Sequence, residues 1–204
     1  MNYKVLIAAV LVAAMVQAEP TLEPLAQPND WNRMGNGGPD ALPGICDVGV
    51  DSAMAAAGED NISILCDGET PSFSGIQRNF DATPYRGKRV RFSAWLMGSG
   101  IGDIGTPEHP IESGAGLWIA VGTPTGYLIN RMPDRLIKGY TSWEYRDFVV
   151  DVPDDSHLIF VGYWMQGQGQ SWIRDQVFEI VPDSVPVNLT WADRPPIGPN
   201  LLLE

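Results

Sequence analysis

The feature that most constrains this chain is an alternation of apolar and polar residues with a period of two, repeatedly broken by glycine, proline or aspartate. In Lys88–Met97, Val90, Phe92, Ala94 and Leu96 share one face, while Arg91, Ser93, Trp95 and Met97 share the other. Gly116–Val121 sets Leu117, Ile119 and Val121 against Trp118 and Ala120. Leu158–Gln166 sets Ile159, Val161, Tyr163 and Met165 against Phe160, Gly162, Trp164 and Gln166. Phe148–Val152 and Ser171–Val181 add further short segments of this kind. Successive side chains of a strand point to opposite faces, so each segment reads as a half-buried strand. Beyond the N-terminus no stretch sustains a helical period, and 22 glycines and 17 prolines supply turns. Short strands divided by turns predict an all-β, two-sheet antiparallel sandwich.

The N-terminus is an exception. A positive start ending at Lys4 precedes the apolar run Val5–Val16, and Val16-Gln17-Ala18 offers small residues for cleavage. This is the layout of a secretory signal over residues 1–18, and the run is shorter than the about 20 residues of a membrane span. Residues 19–30 read as a proline-rich, extended lead-in, 31–187 as the folded domain and 188–204 as an extended tail. The prolines at 182, 186, 195, 196 and 199 keep that end of the chain extended. Export to a secreted or periplasmic location makes Cys46 and Cys66 a disulfide. Their flanks are strand-like, and an antiparallel register with 46 opposite 66 also sets 51 opposite 61.

A net charge of −12 argues against nucleic acid and against an anionic membrane surface as partners. Catalytic signals are sparse. Gly100–Gly105 matches GxGxxG, but Thr106-Pro107 cannot open the helix that a dinucleotide site needs. His109 and His157 stand apart from any nucleophile. Paired carboxylates for glycoside hydrolysis would come from Asp103, Glu108, Glu112, Asp134, Asp151, Asp154, Asp155 or Asp175, most of them at turns. No cofactor is implied. Structural calcium is one use open to Asp47, Asp51 and Asp67, or to Asp154-Asp155, if enough backbone oxygens join them. The stretch Gly98–Gly116 reads as a long polar loop.

Trp95, Trp118 and Trp164 fall opposite the aliphatic faces, as do Arg91 and Gln166. Gathered on one sheet face, these five residues would stack sugar rings and hydrogen-bond their hydroxyls. The competing reading makes the tryptophans a second core layer.

Three groups of residues resemble a bacterial family. They are Tyr85–Trp95 with Gly114–Trp118, Asp134–Trp143 with Val149–Asp155, and Ser171–Glu179. The family is similar to the galactose-binding-like, carbohydrate-binding-module type of jelly roll, whose members occur alone in exported proteins or appended to regulators and hydrolases. The resemblance implies a jelly-roll sandwich over most of the chain. It departs from the family at Asn130-Arg131-Met132, at Arg174-Asp175-Gln176 and after Trp118, which implies an altered ligand or ion site there. The expectation is a non-catalytic exported binding module for a carbohydrate or a cell-envelope protein. The alternatives are a small hydrolase using paired carboxylates and a structural protein with a docking tail.

Overall fold

The alternating segments become strands. The computed structural model describes residues 31–35, 46–54, 61–66, 73–106, 109–111, 113–189 and 191. They form β1 (Asn32–Gly35), β2 (Cys46–Val50), β3 (Ile62–Cys66), β4 (Phe73–Asp81), β5 (Arg89–Gly102), β6 (Ile104–Thr106), β7 (His109–Ile111), β8 (Gly114–Thr123), β9 (Gly126–Asn130), β10 (Gly139–Asp151), β11 (Leu158–Gln166) and β12 (Gln168–Ile180). Among these residues the only helical pieces are the 3-10 turns Thr83–Tyr85 and Pro133–Arg135. A front sheet runs β10-β5-β12-β3-β2 and a back sheet runs β1-β4-β11-β8-β9, with every pairing antiparallel. The chain is therefore the all-β, two-sheet sandwich that its periodicity predicts.

The inward faces are the aliphatic ones. Val90, Phe92, Ala94 and Leu96 of the front sheet join Leu117, Ile119, Val121, Ile159, Val161, Tyr163 and Met165 of the back sheet in one core. Phe92 and Phe148 are register partners with ring centroids 5.5 Å apart. The fully buried Tyr163 hydroxyl donates to Ser171 Oγ, a polar tie between the two sheets. Burial pushes the Tyr163 phenol up, so it stays neutral.

Cys46 and Cys66 are register partners 4.2 Å apart at Cα and form the disulfide, which fastens edge strand β2 to β3. The Asp51 amide donates to the Asn61 carbonyl at 3.1 Å, so the predicted register continues past the strand ends. Residues 1–30 and 192–204 lie outside the described residues, and with them the signal, the lead-in and most of the tail.

The stretch from Gly98 to Gly116 corrects an expectation. It is not a long loop: β5 continues through Gly102, β6 and β7 pair as a hairpin, and β8 begins at Gly114. An extra residue in β5, with Gly100 at φ +65°, bends the strand and keeps it paired on both sides. The GxGxxG glycines sit in β5 and β6, with no helix to follow.

The described part of the tail docks on its own sheet. The Arg89 guanidinium donates to the carbonyls of Asp183 (2.6 Å) and Val185 (2.7 Å). Asn188 exchanges hydrogen bonds with Val149 on the open edge of β10, through its own amide at 3.2 Å and its side-chain oxygen at 2.7 Å. Leu189 is buried and the Trp191 indole donates to the Asp151 carbonyl at 2.8 Å.

Candidate functional site

The five residues expected on one face are divided between two. Arg91 and Trp95 lie on β5 in the front sheet, whereas Trp118 on β8 and Trp164 and Gln166 on β11 lie in the back sheet. Period-two patterns assign a residue to the inside or outside of a strand and carry no information on which sheet holds that strand. The single five-residue face is therefore corrected to two outer faces, which differ in what they offer.

On the back sheet each tryptophan stands opposite a glycine. Trp118 pairs with Gly162 and Trp164 with Gly116. A methyl at Gly162 would collide with the Trp118 indole nitrogen and the Ile76 carbonyl, so the indole lies against bare backbone. The Trp118 and Phe160 rings stack at 6.4 Å and 16°, and Trp164 packs 5.7 Å from Phe73. Leu136 of the following segment sits over Gly114 and Gly116. Trp118 and Trp164 are 3% and 6% exposed, members of a second apolar cluster with Ala120 and Ile129. Neither indole N–H has a hydrogen-bond partner among the described residues. Gln166 is half-buried at the end of β11, opposite Phe73 and Gly114. In this arrangement the two tryptophans are a packed layer without an open ring face.

The front sheet differs. Trp95 is 38% exposed, and its register partners are Tyr145 on β10 and Arg174 on β12. The Trp95 and Tyr145 rings meet edge to face, 5.7 Å apart at 67°. Across β5, the Arg174 guanidinium lies 4.3 Å over the ring of Trp143. Arg91 is held by Glu179, its partner on β12, at 2.5–2.9 Å. Of the six large apolar side chains exposed among the described residues, five belong to β5, β10 and β12: Trp95, Tyr140, Tyr145, Val177 and Ile180.

Both neighbours of β5 bulge beside Trp95. One extra residue enters β10 between Thr141 and Glu144, and another enters β12 between Arg174 and Val177, where Asp175 adopts φ +53°. Each bulge switches the alternation. Tyr140 joins Tyr145 on the outer face, and Glu179 joins Arg174, although each pair is five residues apart. Aspartate tolerates the left-handed conformation better than most residues, which fits Asp175 to this position. Sequence reasoning missed Tyr140, Trp143, Tyr145, Arg174 and Glu179. The departure at Arg174-Asp175-Gln176 was the one signal of the bulge.

Among the described residues the acids gather at no second centre. Asp151 is paired with Arg89 at 2.7 Å, which holds its carboxyl below the usual range. Asp175 and Asp134 each lie 3.6 Å from a neighbouring arginine, and Asp103 accepts the Ser113 amide at 2.8 Å. Asp51 is occupied by the Trp172 indole (2.8 Å) and the Ala53 amide (3.1 Å). Among the described residues no three His, Cys, Asp or Glu side chains are grouped to hold a metal ion. Asp67, Glu108, Glu112 and the His109 side chain lie outside the described part of the structure.

The fold is an all-β sandwich of two five-stranded antiparallel sheets. No protein-family model matches the sequence. Among solved structures it is similar to the CBM22-1–GH10 modules of Clostridium thermocellum xylanase Xyn10B, in a complex with xylohexaose. That match has a TM-score of 0.53 at 9% identity, over 78% of this chain and 28% of that one. The C-terminal family 22 carbohydrate-binding module of Clostridium thermocellum Xyn10B matches with a TM-score of 0.50 at 14% identity, covering 74% of this chain and 87% of that module. Among curated proteins, an uncharacterized HTH-type transcriptional regulator of Bacillus subtilis (strain 168), YbfP, is 33% identical over 116 residues. The aligned region is 56% of this chain and 36% of the regulator's length.

Proposed function

We propose that this protein is a non-catalytic, exported binding module that recognises a glycan on the outer face of its front sheet. The observation that carries the reading is the row of exposed aromatic rings at Trp95, Tyr145 and Tyr140 on a rigid sheet. An open ring face meets the C–H groups of a sugar, and polar neighbours such as Arg91, Glu179 and Asp147 orient its hydroxyls. Export is supported by the signal-like N-terminus and by the Cys46–Cys66 disulfide, a bond typical of oxidising compartments. The fold shared with xylan-associated modules makes xylo-oligosaccharides the first ligands to try. The segment shared with a regulator fits a module that is reused in different chains. A cell-envelope protein is a second partner class for the same aromatic face.

The test is affinity electrophoresis and titration calorimetry against a glycan panel, with Trp95→Ala and Tyr145→Ala as variants. Binding that both substitutions weaken about tenfold or more supports the reading, as expected for aromatic anchors at a binding centre. Binding unchanged in both variants, or no binding to any glycan, refutes it.

A further inference from the structure

The glycan class of this face is written in its charges. The arginines of β5, β10 and β12 are Arg89, Arg91, Arg146 and Arg174, and those strands contain no lysine. Each arginine faces a carboxylate of the same three strands. On the outer face Arg89 lies 2.7 Å from Asp151, Arg91 2.5 Å from Glu179 and Arg174 3.6 Å from Asp175, while Arg146 and Glu144, opposite Ala94 and Leu96, pair with one another on the inner side. Arg174 is also stacked on one face of the Trp143 ring. One acid remains, Asp147, whose Oδ1 accepts the Asn188 side-chain amide at 3.1 Å. A carboxylated or sulfated glycan would have to separate an existing ion pair and approach a chain of net charge −12. A neutral hydroxyl faces neither cost, because it donates to a carboxylate and accepts from a guanidinium without breaking the pair.

Shape narrows the class further. The two central rings, Trp95 and Tyr145, stand at 67° to one another and form a corner. Coplanar rings would suit a flat array of parallel chains, whereas a corner grips one chain that turns. We infer, resting on the reading of this face as a glycan site, that its ligand is a single soluble, uncharged oligosaccharide, and that it is neither a polyuronate nor a crystalline polysaccharide surface.

Titration calorimetry would compare xylohexaose and cellohexaose with oligogalacturonate at 50 and 500 mM NaCl, alongside a pull-down on crystalline cellulose. The expected result is binding of an uncharged oligosaccharide with a Kd that changes less than twofold between the two salts. Oligogalacturonate should bind at least tenfold more weakly. Glu179→Gln, which removes the carboxylate paired with Arg91, should narrow that gap several-fold by weakening the uncharged oligosaccharide and improving oligogalacturonate. Equal or tighter binding of oligogalacturonate, or Trp95-dependent retention on crystalline cellulose, overturns this inference and leaves the binding face standing. No heat with any of the three oligosaccharides and no retention on cellulose overturns both.

Discussion

At the scale of residues, tryptophans that look alike in the sequence do different jobs. Trp95 is partly open to solvent, while Trp118 is 3% exposed over Gly162. Trp118→Ala is expected to destabilise the fold by about 3–5 kcal/mol, the usual cost of emptying a large buried aromatic site. Trp95→Ala should cost under about 1 kcal/mol. Chemical denaturation of the two variants checks the contrast, and equal losses would contradict it. Gly162→Ala should destabilise by about 1–3 kcal/mol, because its methyl forces the Trp118 indole off the sheet. The carboxyls of Asp81, held by the Thr83 amide, and Asp151, held by Arg89, sit below the ordinary range in the folded state. Their contribution is therefore complete above the unfolded value of about 3.9 and is lost as pH falls through the lower folded values. Both groups are solvent-exposed, so the effect is small. Melting temperature should fall below about pH 4, and Asp151→Asn should flatten part of that fall.

At the scale of elements, alternation revealed the inside and outside of the strands it detected, and the paired cysteines revealed a register. The bulges were not legible, because an extra residue leaves no gap in the sequence. Strict alternation from Arg174 places Glu179 inside, whereas the turn at Asp175 brings it out to Arg91. The Gly98–Gly116 stretch misled for a related reason: glycines that suggest a loop also let a strand bend without losing its partners. The tail is the other element whose role only the fold reveals. Ending the chain at Pro182 would remove the two carbonyl acceptors of Arg89 and the Asn188 pairing with Val149, and would uncover the core end beneath Leu189. The expected loss is several kcal/mol, about 2 for Leu189 alone, with a lower melting temperature as the readout. A truncated chain that melts with the full-length protein would show that the clasp contributes nothing. Disulfide reduction should cost about 3 kcal/mol, the chain-entropy value for a loop of this size. Cys46→Ser with Cys66→Ser should match the reduced protein in denaturant.

At the scale of the whole molecule, the class of fold was readable because the segments read from the sequence alternate with one period between their bulges and, past the N-terminus, no segment competes for a helix. The site was readable only in part. Arg91 and Trp95 lie on the face that stays open, but grouping them with Trp118, Trp164 and Gln166 required knowing which strands share a sheet. That depends on pairings between distant segments, such as β5 with β12, which local pattern does not encode. The sandwich therefore has one outer face whose aromatic rings pack against themselves and one whose rings are exposed. The most direct measurement is a two-dimensional NMR titration with xylohexaose, or another neutral oligosaccharide shown to bind, following the indole N–H signals. The account predicts shifts at Trp95 and along β5, β10 and β12, with Trp118 and Trp164 unmoved. Shifts centred on Trp118 and Trp164 instead would put the ligand on the back sheet and contradict it.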